Sequence, residues 1–168
     1  MNERNSMFGF FKKKKEVSKN ELKAFVTGKA ITIEEVADGV FSEKILGDGM
    51  AIWPEEGKLY APADGKVVTV MEDSKHAVGL ELAGGIQILL HVGIDTVEMN
   101  GKGFTYHISE GQDVKMGDLL IEFDREVIET EGCKDVVVMV VVENNNECAL
   151  EMNTGCAVTA KDSVILSY

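Results

Sequence analysis

The residues best suited to chemistry in this 168-residue chain are its three histidines, His76, His91 and His107. His91 ends an apolar run that begins at Ile86, and Gly93 follows two positions later. Imidazole has an ordinary pKa of about 6.5, so a neutral ring can act as a nucleophile at cytosolic pH. A glycine near the end of a strand lets another molecule approach the ring. For each histidine taken alone, the alternative is a hydrogen-bonded structural residue.

Short apolar runs separated by glycine turns must position these histidines. Residues 59–70 indicate a strand, a tight turn at Asp64-Gly65 and a second strand. Residues 78–82 and 86–92 indicate two further strands joined by the glycine pair, so His76 and His91 can lie side by side. Strands recurring every 8–12 residues or so predict an antiparallel, all-β sandwich or barrel-like fold.

Three other segments carry clear expectations. The β-branched run from Val136 to Val142 predicts a strand buried on both faces. Residues 124–131 are the only segment whose pattern convincingly predicts a helix, so helix content should be low. Residues 40–46 are strand-like and lead into a turn at 47–49. We place the domain at residues 24–168, after a flexible tail at residues 1–23.

The composition excludes several classes of function. The formal net charge of −12 disfavours binding of nucleic acid and favours partners with basic docking faces. No apolar stretch approaches the roughly 20 residues of a membrane span. Three cysteines without CxxC spacing argue against a disulfide framework or a zinc knuckle. These features predict a cytoplasmic protein.

The sequence of the tail suggests a second location for the protein, at a membrane surface. Phenylalanines at positions 8, 10 and 11 lie beside the lysines at 12–15. A short helix in residues 1–15 could place its aromatic side in a membrane and its lysines on anionic headgroups. The alternative is a solvated basic leader. We therefore keep a membrane-peripheral location beside the purely cytoplasmic one.

The histidine region belongs to a longer pattern. Residues 85–97 read Gly-Ile-Gln-Ile-Leu-Leu-His-Val-Gly-Ile-Asp-Thr-Val. This stretch resembles the active-site signature of the glucose-type IIA component of the bacterial phosphoenolpyruvate-dependent sugar phosphotransferase system. The resemblance extends over residues 28–168, and the further matching segments, in family order, are residues 47–52, 61–65, 75–77, 101–104 and 110–118.

The resemblance implies a duplicated hybrid motif fold and a phosphotransferase activity. His91 would accept a phosphoryl group on Nε2 from the histidine phosphocarrier protein and pass it to the cysteine of a sugar-permease IIB domain. Its Nδ1–H would point to a backbone carbonyl. His76 would stabilise the phosphoryl group, and Ser74, where the family usually has threonine, would orient His76. The stretch 70–74 is one residue longer than usual.

The family also implies an apolar docking surface around the two histidines. Leu89 shares the alternating face of His91. For all these residues the alternative is a place in the core. The expected docking residues are Val40, Phe41, Ile45, Leu46, Val78, Leu89 and Val97.

Several alternatives remain open at this point. A IIA domain can instead act mainly by binding and inhibiting permeases or kinases. Two other families are disfavoured. A biotinyl or lipoyl domain needs a Met-Lys tip, which the Lys66 hairpin lacks, and a lysostaphin-type zinc peptidase needs a His-x-His element, which the chain lacks. No cofactor is required, since the donor is already a phosphohistidine, although His76 and His91 could bind Zn²⁺ together with a partner's carboxylate. His107 matches nothing in the family's site and is expected at the surface.

Overall fold

The computed structural model describes residues 20–168, which form fourteen strands and little helix. Every strand pairing is antiparallel. The predicted fold class is therefore confirmed. The strands are β1 (Glu21–Lys23), β2 (Gly28–Thr32), β3 (Gly49–Pro54), β4 (Lys58–Tyr60), β5 (Gly65–Val70), β6 (Ala77–Leu82), β7 (Ile86–Ile94), β8 (Phe104–Tyr106), β9 (Asp113–Val114), β10 (Leu119–Phe123), β11 (Lys134–Asn144), β12 (Glu151–Met152), β13 (Cys156–Val158) and β14 (Val164–Ser167).

The largest sheet has eight strands in the order β13-β2-β3-β11-β7-β6-β5-β9. Its longest strand, β11, lies between β3 and β7, and its residues 136–141 are buried on both faces as predicted. Val142, which we also expected to be buried, is 40% exposed. Val137 and Met139 pack into the main core, whereas Val136 and Val138 pack into a second apolar cluster on the other face. Strand β11 therefore gives the sheet two packed faces, and it pairs directly with β7.

Two three-stranded sheets, β1-β14-β12 and β4-β10-β8, complete the fold. Strand β1 lies inside the segment that we expected to be a tail. Leu22 pairs with Leu166 and is 1% exposed. The domain therefore begins at residue 20 or earlier, and the predicted boundary at residue 24 is wrong. The other predictions for the tail, including membrane contact by residues 1–15, lie outside the described residues.

The segment at residues 40–46 is a loop with turns, so the strand expected there is wrong. The side chain of Asp38 accepts hydrogen bonds from the backbone N–H groups of Phe41 and Ser42, at 3.1 and 3.0 Å. These local bonds compete with strand pairing. Phe41 packs into the second apolar cluster and fixes the loop over that face of the sheet.

The expected helix is present as α1 (Arg125–Thr130), with the Asp124 side chain capping its first turn. Three short 3₁₀ segments, which we did not predict, span Ile33–Val36, Ala83–Gly85 and Thr96–Met99. Within residues 20–168, no helix is long and apolar enough to cross a membrane.

Candidate active site

The β6–β7 hairpin brings the two predicted histidines together. Ala77 lies opposite His91 in the register of the two strands, so His76 lies one residue from the partner of His91. The two imidazole rings meet edge to face, with centroids 4.6 Å apart and planes at 85°. The backbone N–H of Val92 donates to the carbonyl of His76 at 2.7 Å, which ties the residue after one histidine to the other.

A single hydrogen bond fixes the orientation of the His91 ring. Its Nδ1 lies 2.8 Å from the carbonyl oxygen of Gly93. A carbonyl oxygen can only accept, so Nδ1 carries the proton. In the neutral ring, Nε2 then has a free lone pair. The geometry therefore provides a nucleophilic nitrogen at Nε2, as expected from the sequence.

The turn after His91 presents this carbonyl. Gly93 has φ +81°, a left-handed conformation that favours glycine. Thr96 is fully buried, and its hydroxyl donates to the carbonyl of Val92. We assigned no role to Thr96 from the sequence, although the signature contains a threonine at this position. The hydrogen bond from Thr96 closes the turn that positions the Gly93 carbonyl, and this gives Thr96 a structural role.

Gly93→Ala should destabilise the protein by about 2 kcal/mol or more, from left-handed strain and steric overlap. An added Cβ would lie 2.4 Å from the Thr96 Cγ2 and 2.7 Å from the Lys134 carbonyl oxygen. Urea unfolding measures the loss. Gly111→Ala is the matched control, since Gly111 has φ +86° but no atom within 4 Å of the added carbon. Equal losses in the two variants would show that the crowding at Gly93 contributes nothing.

The position of His76 is fixed by burial and by one side-chain hydrogen bond. The residue is 3% exposed, and its Nδ1 shares a 2.7 Å hydrogen bond with the Oγ of the buried Ser74. Burial lowers the pKa of His76. The structure thus places all three predicted chemical residues in one site, with His76 neutral near pH 7 and Ser74 against its ring.

Comparisons with known proteins identify the family of this chain. Residues 20–148 match the family model described as phosphoenolpyruvate-dependent sugar phosphotransferase system, EIIA 1. The chain belongs to this family. It is also similar to a solved structure, glucose permease IIA from Mycoplasma capricolum, at 34% sequence identity and a TM-score of 0.80. That match covers 89% of this chain and 96% of the other.

A second structure, Csd3 from Helicobacter pylori, matches at 14% identity and a TM-score of 0.37. It covers 58% of this chain and 25% of that chain, and it carries no inference about function. Membership of the EIIA 1 family makes the chain a phosphotransferase component that carries phosphoryl groups in the sugar phosphotransferase system.

The His91 ring of this IIA domain is kept neutral. Burial lowers its pKa to about 4, and the nearby His76 contributes in the same direction. The Gly93 hydrogen bond and the charge of Asp38 raise the pKa of His91, but burial and His76 lower it by more. A neutral ring has its Nε2 lone pair free, so His91 can accept an electrophile without first losing a proton.

We expect His91 to titrate near pH 4, and the chain to lose stability as the pH falls from 6.5 toward 4. In this window the unfolded chain binds the proton more readily than the folded chain, so protonation favours unfolding. Nuclear magnetic resonance of the ring and denaturation at several pH values measure both effects. His91→Gln should reduce the slope of stability against pH. Titration of His91 near pH 6.5 would contradict the prediction.

The residues expected to form the docking surface divide into three groups. Leu89 is partly exposed on the face of β7 that carries His91. Phe41 is only 7% exposed and packs in the second apolar cluster, so its assignment to the docking surface is wrong, although its ring centroid lies 4.8 Å from that of His91. Val78 is 0% exposed in the main core, so its assignment to the docking surface is wrong. Exposed apolar side chains are Val40, Ile45, Leu46 and Val97, at 47%, 68%, 45% and 52%.

A cavity of about 290 Å³ has Val40 on its wall. Asp38 and Asp95 also line it, together with Lys134 and Cys133. Sequence reasoning missed Asp38, which the charge effect on His91 places near the site. No local signal separates this aspartate from the many other acidic residues of the chain.

His107 lies apart from the histidine pair. Its Nε2 forms a 2.7 Å contact with the Glu122 carboxylate, in the small sheet that contains β8 and β10. Its side chain is 38% exposed, in agreement with the expected surface position. This makes His107 a useful control residue for experiments on the site.

Proposed function

We propose that Nε2 of His91 accepts a phosphoryl group from the histidine phosphocarrier protein and passes it to the cysteine of a sugar-permease IIB domain. The observation that carries this proposal is the hydrogen bond from Nδ1 of His91 to the Gly93 carbonyl, beside His76. It leaves one nitrogen of a neutral ring available for a bond to phosphorus. Family membership supports the direction of transfer.

In the first step, the Nε2 lone pair of His91 attacks the phosphorus of the donor's phosphohistidine. The donor's P–N bond breaks, and its electron pair returns to the donor imidazole. In the second step, a cysteine thiolate of the IIB domain attacks the phosphorus, and the P–Nε2 bond breaks. The electron pair then returns to His91. Both steps depend mainly on in-line positioning and on stabilising the three equatorial oxygens.

His76 and Ser74 complete the proposed site. We assign the Ser74 hydroxyl as the donor to Nδ1 of His76, an arrangement that puts the His76 proton on Nε2. That N–H can donate to a phosphoryl oxygen on His91, since the two rings lie in contact. The two histidines thus take opposite tautomers, one as nucleophile and one as donor.

The partners dock on the exposed side chains of Val40, Ile45, Leu46 and Val97 and on the partly exposed Leu89. The acidic surface, with a net charge of −12, suits partners with basic docking faces. We propose a cytoplasmic location, as exchange with these two partners would require.

The transfer itself requires no metal or nucleotide, because the energy of the P–N bond is already present in the donor. Zn²⁺ could bind the same two imidazoles only with a further ligand. Within residues 20–168, no group of three or more metal-ligating side chains is close enough together to hold an ion. A carboxylate from a partner would have to supply that ligand.

Incubation with phosphoenolpyruvate and the two general upstream proteins of the system tests the proposal. Intact mass should rise by one phosphoryl group, and the added mass should be labile to acid and stable to base. Fragmentation should place it on His91. No mass gain, or an acid-stable modification, would overturn the proposed function.

A further inference from the structure

Tyr106 binds both ends of the segment that carries Ser74 and His76. Its side-chain hydroxyl accepts a hydrogen bond from the backbone N–H of Met71 at 2.9 Å, and it donates to the carbonyl of Ala77. These partners lie 35 and 29 residues away along the chain. One hydroxyl group on β8 therefore closes the loop at residues 71–77.

The loop between these two ends adopts a tight conformation. The N–H of Lys75 donates to the Met71 carbonyl at 2.7 Å, and Lys75 has φ +54°, an unfavourable value for a residue other than glycine. His76 follows directly. Among the described residues, the backbone of Met71 bonds to the Tyr106 hydroxyl and to Lys75. Without the hydroxyl, it would keep only the bond from Lys75.

Tyr106 also lies close to the histidine pair. Ala77, which accepts its hydrogen bond, follows His76 and lies opposite His91 in the strand register. The ring of Tyr106 packs against the main core, which fixes the hydroxyl in space. Burial raises the pKa of Tyr106, so the group remains a protonated donor at neutral pH.

We infer that Tyr106 is a positioning residue that holds His76 in place for onward phosphoryl transfer. This inference rests on the proposed function, in which His76 donates to the departing phosphoryl group. A donor in an active site must be held within about 0.5 Å of its productive position. Loss of the hydroxyl frees one end of the loop and lets the His76 ring move.

Tyr106→Phe tests the inference, because it keeps the ring in the core and removes only the hydroxyl. We expect loading of His91 to persist and transfer to a IIB domain to slow about tenfold. Tyr168→Phe is the matched control, since the Tyr168 hydroxyl also donates to a backbone carbonyl, that of Ala83, at 2.6 Å. Its transfer rate should remain that of the parent. Urea unfolding of both variants controls for general loss of stability.

A double-mutant cycle with His76→Gln separates positioning from a structural effect. If Tyr106 acts through His76, Tyr106→Phe should slow the His76→Gln variant by much less than tenfold. The His76 ring resonances should also change in Tyr106→Phe and not in Tyr168→Phe. Equal transfer rates in Tyr106→Phe and Tyr168→Phe, or fully additive losses with His76→Gln, would overturn the inference. Failure of the parent protein to become loaded would instead overturn the proposed function.

Discussion

His91→Ala should abolish phosphorylation of the chain, with no mass gain after incubation with phosphoenolpyruvate and the upstream proteins. The variant lacks the Nε2 atom that makes the bond to phosphorus. His76 should not replace it, because His76 is 3% exposed and its ring is held by Ser74. Phosphorylation should therefore fall by several orders of magnitude, to the detection limit of mass spectrometry.

His107→Ala is the control for this variant. His107 is more exposed than His76, and its side chain forms a hydrogen bond with Glu122. It should gain the phosphoryl mass as the parent does. Circular dichroism should show the same β-rich spectrum for both variants. A mass gain in His91→Ala that maps to another residue would remove His91 from its proposed role.

His76→Gln should give a protein that becomes loaded but transfers its phosphoryl group poorly. Glutamine is a neutral donor but does not place its N–H group where the imidazole does. In the proposed mechanism, His76 contributes most as the P–N bond loosens and charge shifts in the transition state. Removing one such electrostatic donor typically reduces a rate by ~10²–10³. Rapid-quench measurement of transfer to a IIB domain gives the rate directly.

The control for His76 is His107→Gln, which makes the same chemical change outside the site. Its loading and transfer should match those of the parent. Unfolding of both variants in urea separates a loss of stability from a loss of chemistry. Transfer by His76→Gln at the parent's rate would show that His76 is only a structural neighbour of His91.

Much of the site could be predicted because its signals are local in the chain. The glycine pair between β6 and β7 makes the two strands adjacent, so His76 can lie beside His91. The roles of His76 and Ser74 came instead from the family resemblance. The run of β-branched residues in β11 likewise predicted a strand buried on both faces. Turn residues and side-chain periodicity act over a few positions, so a single sequence contains them.

The errors arise where distant parts of the chain decide the outcome. Strand β1 has only three residues, and its partner β14 lies at the other end of the described chain. Val78 belongs to a strand with both faces covered, so alternation could not separate core from surface. The contacts of Tyr106 with Met71 and Ala77 also join residues far apart in sequence. Only the packed fold brings such groups together.

The pairing of β1 with β14 has a consequence for how this domain can be tethered. Asn20 and Tyr168 exchange two backbone hydrogen bonds, at 2.9 and 3.0 Å, and Tyr168 also contacts Ala83 at the hairpin turn. His91 lies about 16 Å from that turn, at roughly 3.3 Å per residue along β7. Residues 20 and 168 thus lie side by side, away from His91. A fusion at either side leaves the phosphoryl group free to face a partner, and a short bridge from 168 to 20 would allow circular permutation.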